Sequence, residues 1–149
     1  VSKYHATERG ARKYARRNAI NVAVQYLGSI AKIKFEELSI SFGLSSKIVD
    51  DTDSAQEFRK FLSANIVRRL KTKKWHMEQK LIDGKVGIQY YVLAVVTKSA
   101  IENSFKKTMD KSINKLQREA ENAATEKAKK QVNQALEMFR KAKKEGLMD

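Results

Sequence analysis

From Ala6 to about Leu27 the chain repeats its apolar positions with a helical period. Ala11, Ala15, Ala19 or Asn18, Val22 and Tyr26 recur at three- and four-residue steps, the spacing of one helix face. Small alanines on that face allow close approach to whatever the helix packs on. Thr7 followed by Arg9-Gly10 is a weak start signal, because cations at a helix N-terminus oppose its dipole. The helix is therefore expected to begin further upstream. Residues 28–43 fit two patterns. Ile33 and Phe35 alternate as in a strand, and Leu38, Ile40 and Phe42 alternate in the opposite parity. The readings are a bulged strand, or a helix running on to about Leu38. A helix stop near Gly28 and a strand ending at Gly43 are preferred.

Asp50-Asp51-Thr52-Asp53-Ser54 reads as an acidic loop leading into a helix capped by Asp53 or Ser54, with Gln56 or Glu57 following. Phe58, Phe61, Leu62, Ile66 and Leu70 supply the apolar stripe of that helix, which extends to about Lys71. Trp75, Met77, Gln79 and Leu81 then share one strand parity. Asp83-Gly84 is a hairpin turn signal, and Ile88–Val96 returns as a second strand. Its run Tyr90-Tyr91-Val92-Leu93-Ala94-Val95-Val96 is apolar on both faces, which predicts a central strand covered on both sides.

Nothing between Ser99 and about Lys144 interrupts a helix. These 46 residues would reach about 69 Å as one rod, whereas a compact chain of this size has a radius of gyration of about 15 Å. The rod must overhang the domain or break. Its apolar seam runs Ile101, Phe105, Met109, Ile113, Leu116, Ala120, Ala124, Ala128, Val132, Ala135, Phe139 and Ala142. The mean step is about 3.7 residues, which excludes a leucine-zipper heptad. The first half is expected on the sheet. The second half either meets a partner, folds back or projects, and Leu116, Val132, Ala135 and Phe139 are the candidate helix-partner seam.

Composition narrows the chemistry. The 149 residues contain no cysteine and no proline. Roughly seven prolines would be average for this length, so their absence favours long helices. Without cysteine there is no disulfide framework, thiolate metal site or cysteine nucleophile. No run approaches the roughly 18 apolar residues of a membrane span. The six glycines are too scattered for a phosphate loop, and no Gly-x-Ser-x-Gly elbow occurs. His5 and His76 have no His, Cys or carboxylate at metal-ligand spacing. Asp50, Asp51 and Asp53 lack the glycine and distal glutamate of a calcium loop. The reading is of a non-enzymatic protein with no catalytic residue, cofactor or metal.

The net charge is +14, divided as +5, −1, +5 and +5 over residues 1–30, 31–60, 61–90 and 91–149. This is a diffuse basic surface with two denser clusters. One holds Arg12, Lys13, Arg16 and Arg17; the other holds Arg68, Arg69, Lys71, Lys73 and Lys74. Arg12, Arg16, Arg17, Arg68 and Arg69 are the candidate contacts to an anionic surface. Such charges suit phosphates of nucleic acid or anionic lipid headgroups.

The order of elements carries one resemblance. The helix around Ala11-Arg12-Lys13-Tyr14-Ala15-Arg16-Arg17-Asn18-Ala19 is followed by Ile30–Phe42 and a second amphipathic helix. Then come Lys74-Trp75, the Asp83-Gly84 turn, the strand Tyr90–Val96, and a helix after Thr97-Lys98. Over residues 8 to 110 this order resembles the Lpp-twenty family of small bacterial envelope lipoproteins, which is related to a domain of flagellar outer-membrane assembly proteins. The resemblance implies an α+β domain tethered in the outer membrane or periplasm. A lipid-bearing cysteine would lie upstream of Val1, and the Val-Ser-Lys start fits a processed or truncated chain.

The expectation is an α+β fold with helices packed on a small antiparallel sheet, the hairpin at about Trp75–Val96, and a long C-terminal helix extending from the domain. Residues 1–110 would form the compact unit and 111–149 a candidate interaction arm. Expected partners are a membrane surface reached through the upstream lipid anchor, and a protein partner or homo-oligomer through the C-terminal helix. The alternatives are a basic nucleic-acid-associated protein and a helical oligomerisation scaffold.

Overall fold

A computed structural model describes residues 3–148 and contains α1 (Glu8–Ser41), α2 (Asp51–Arg69), β1 (Lys71–Ile82), β2 (Lys85–Val95), α3 (Lys98–Glu121) and α4 (Glu126–Glu145). The α+β class and the antiparallel hairpin follow the sequence pattern. Several boundaries do not.

Helix α1 begins within the described chain, not upstream. The Thr7 hydroxyl accepts the Gly10 N–H at 3.2 Å, and Glu8 sits in the first turn where the dipole favours an anion. The helix then passes through Gly28 without stopping. Val24, Leu27, Ala31, Phe35 and Leu38 form one buried stripe across it. The strand expected over 28–43 is therefore helix to Ser41. Ile33 and Ile40, which gave the false alternation, are 56% and 72% exposed. The real terminator is Gly43, at φ +63°, beyond which the Leu44 N–H returns to the Ser39 carbonyl at 2.9 Å.

The cap of α2 is Asp50, three residues before Asp53, the earlier of the two predicted caps. Asp50 Oδ1 accepts the N–H groups of Thr52 (2.8 Å) and Asp53 (3.1 Å), while Asp51 and Asp53 occupy the first turn. The hairpin turns at Asp83 (φ 51°) and Gly84 (φ 75°) between the paired residues Ile82 and Lys85. Both positive φ values match a type I′ turn. Near its start, β1 carries a bulge between Thr72 and Lys74.

β2 is not a central strand covered on both sides. The sheet has two strands, and α1 covers one face of it: Ala11, Ala15 and Tyr90 pack together beneath Ile88 and Val92. Two backbone hydrogen bonds between His5 and Ile88, of 2.9 and 2.8 Å, extend the far edge of β2.

The C-terminal helical region breaks at residues 122–125. Asn122 ends α3, and Thr125 caps α4 by accepting the Ala128 N–H at 3.2 Å. α4 then folds back on α3. The sheet packs on α1, and α3 packs on α2 and α4, so the first half of the region does not cover the sheet as expected. Phe35, Phe58, Phe105 and Phe139 bring one aromatic side chain from each helix into a single core. The Phe35 and Phe105 rings stack at 5.5 Å, with Phe58 edge-on at 6.0 Å and Phe139 at 6.4 Å.

This packing also consumes the predicted partner seam. Leu116, Ala135 and Phe139 are buried in that core and Val132 packs against it half-buried. From Leu116 to Leu147, the C-terminal helical region contributes side chains to the same core as α1 and α2. Lys143–Asp110 and the Leu147 and Met148 N–H groups on Glu102 fasten the end of α4 to α3.

Candidate basic interface

The two arginine clusters lie 50 residues apart in sequence and meet in space. The first half of α1 runs along β2, and its side then reaches the C-terminal end of α2. There Arg16 Nη2 donates to the Val67 carbonyl at 3.4 Å. Arg16 thus satisfies an orphan acceptor of the last helical turn and joins the α1 cluster to Arg68 and Arg69. Those two residues close α2, where cations interact favourably with the helix dipole. Lys71, Lys73 and Lys74 continue the basic surface onto β1.

The five predicted contact residues do different things. Arg17, Arg68 and Arg69 are exposed. Arg16 is exposed but tied at one nitrogen to α2. Arg12 is held most firmly: its guanidinium lies 4.8 Å from the Tyr90 ring and 6.0 Å from that of Trp75. Its Nη2 donates to the Tyr90 hydroxyl at 3.2 Å, which donates to Glu8 Oε2 at 3.1 Å. Glu8 itself stands 3.9 Å from Arg12. Arg12 therefore serves first as a cross-link between α1 and the sheet, with part of its charge compensated.

Trp75 and Tyr90 meet edge to face at 5.9 Å. Arg12 and Trp75 are 63 positions apart in sequence; the pairing of β1 with β2 and the packing of α1 on β2 bring them together. The opposite face of the hairpin carries a second cluster. His76 Nε2 is 3.5 Å from Glu78 Oε1. Residues i and i+2 of a strand share a face. Across the ladder, the Tyr91 hydroxyl donates to Glu78 Oε2 at 3.1 Å, which pushes the Tyr91 phenol above its usual range. The second histidine, His5, lies against Tyr14.

At the foot of β1, Arg68, Arg69, Leu70 and Lys71 face Thr97 and Ser99 across a shallow depression of about 370 Å³. Among the described residues, no three His, Asp or Glu side chains are placed to hold one metal ion. No helix among them is long and apolar enough to cross a membrane.

No protein-family profile, curated protein or solved structure matches this chain.

Proposed function

We propose that the chain is a non-enzymatic interaction module of the bacterial cell envelope, tethered at the outer membrane or in the periplasm, whose basic surface engages an acidic partner. The observation that carries the interaction half of this reading is the Arg16–Val67 contact. It turns two separate arginine clusters into one surface spanning α1, the end of α2 and the start of β1. The envelope half rests on the element order, which resembles the Lpp-twenty family over residues 8 to 110.

A second reading is favoured by one feature. Trp75 stands beside Arg12 and near the lysines of β1, and an aromatic face among cations suits nucleic-acid bases and phosphates. The scaffold reading loses its support, because Leu116, Ala135 and Phe139 are already buried within the chain.

The two readings separate in the native cell. The full gene product is expected to carry a signal peptide and a lipid-modified cysteine upstream of this segment, to label with palmitate, and to fractionate with the envelope. A product that stays with the cytosol and releases from nucleic acid between about 50 and 200 mM salt would establish the second reading instead.

A further inference from the structure

β1 is a 12-residue strand exposed along its whole length, and β2 is its one neighbour in the sheet. α1 covers the β2 side of the inner face, where Tyr90 is 3% exposed. On β1, Trp75, Met77 and Leu81 share one parity and remain 38%, 39% and 70% exposed. The far edge of β2 is occupied in part by His5. Among the described residues, nothing pairs with the far edge of β1. A strand edge of this kind presents a row of unpaired N–H and C=O groups, and two strands alone are marginal in water.

The charge on this edge selects among occupants. β1 carries Lys71, Lys73, Lys74 and Lys80 against Glu78, and Arg68 and Arg69 lead into it. An edge this basic works against pairing with a second copy of itself, since like charges in register are destabilising. It complements an acidic strand.

We propose that the open edge of β1 is a docking site for an extended acidic segment of a partner protein. That segment adds as a third strand, sets its carboxylates against the β1 lysines and covers Trp75 and Met77. Backbone hydrogen bonds provide the pairing, and side chains on alternate positions provide the choice of partner. The inference rests on the reading that the basic surface serves an acidic partner, and it specifies how.

Trp75 is the single tryptophan of the chain and lies on β1, so its emission reports the site directly. The probe is a synthetic peptide of about ten residues alternating Glu with Val, titrated at about 50 mM salt. A saturable blue shift of Trp75 is expected, with slowed amide exchange at alternate residues of β1. A peptide of the same sequence with alternate amides N-methylated keeps every charge but cannot donate along one edge. Its affinity should be lower by about tenfold or more.

Equal binding of both peptides, or binding without protection of β1 amides, would overturn edge pairing while leaving an acidic partner on the basic surface intact. Absence of binding by either peptide would remove both. Displacement of the peptide by duplex DNA or by phosphatidylglycerol vesicles at lower concentration would show that the partner class is wrong. Lys73→Glu combined with Lys74→Glu changes two exposed positions, and should weaken the Glu-Val peptide while strengthening a Lys-Val one.

Discussion

The side chain of Arg59 lies directly on the backbone of Gly28. A Cβ built on Gly28 would overlap Arg59 Nε and stand 2.5 Å from its Cγ. Glycine inside a helix costs about 1 kcal/mol relative to alanine, and here it permits α1 and α2 to cross with an arginine stem between them. Arg59 Nε is shielded from water and has no hydrogen-bond partner among the described residues.

Gly28→Ala should therefore destabilise the protein by about 1–2 kcal/mol through overpacking. In an Arg59→Ala background the same change should stabilise by about 1 kcal/mol, because only the helix propensity remains. Urea unfolding of the four proteins in a double-mutant cycle measures the reversal. A stabilising Gly28→Ala in both backgrounds would contradict the crossing.

The same glycine explains where the sequence misleads. A mid-chain glycine has the same letter whether it ends a helix or admits a neighbour, and the neighbour is Arg59, 31 residues away. Gly43 is the residue that ends α1, and its positive φ is a local property. Local signals were legible: the Asp83-Gly84 turn, the acidic start of α2 and the long helical C-terminal region. The α3–α4 break was not, since Asn122, Thr125 and the surrounding alanines are all compatible with helix. What decides it is the burial of Phe139 against Phe35, a contact across 104 positions. The arginine clusters were each visible, but their union depends on Arg16 reaching Val67.

Phe139 is buried in the core shared by the four helices. Phe139→Ala should lower stability by about 3–5 kcal/mol, while the sedimenting mass of the folded protein stays unchanged. Denaturation at two protein concentrations, together with analytical ultracentrifugation, tests this. A fall in mass, or a midpoint that moves with concentration, would mean that the residue serves an intermolecular seam.

Thr125 separates α3 from α4 by capping the second helix. Thr125→Ala removes that acceptor and should cost about 1 kcal/mol. It also makes a continuous helix through residues 122–125 locally more favourable. Amide exchange is expected to accelerate in α4 more than in α2. A uniform change across both helices would show that α4 does not open separately.

Glu57 on α2 and Lys111 on α3 form the ion pair with the clearest consequence for pH. Lys111 Nζ stands 2.7 Å from Glu57 Oε2, and this close ion pair holds the Glu57 carboxyl below its ordinary value of 4.5. Because the folded state releases this proton more readily than the unfolded chain, the contribution is complete above pH 4.5 and disappears as pH falls through the lower folded value. Both side chains are partly open to solvent, which limits the pair to about 1 kcal/mol or less. Glu57→Gln should accordingly be slightly less stable than the parent protein at neutral pH. The two unfolding curves should converge on acidification and approach each other in about 0.5 M salt, where exposed pairs are screened. Lys111→Met should abolish the pH-dependent part of the difference. A gap between parent and Glu57→Gln that persists below the Glu57 titration would assign the effect to packing of the side chain and not to its charge.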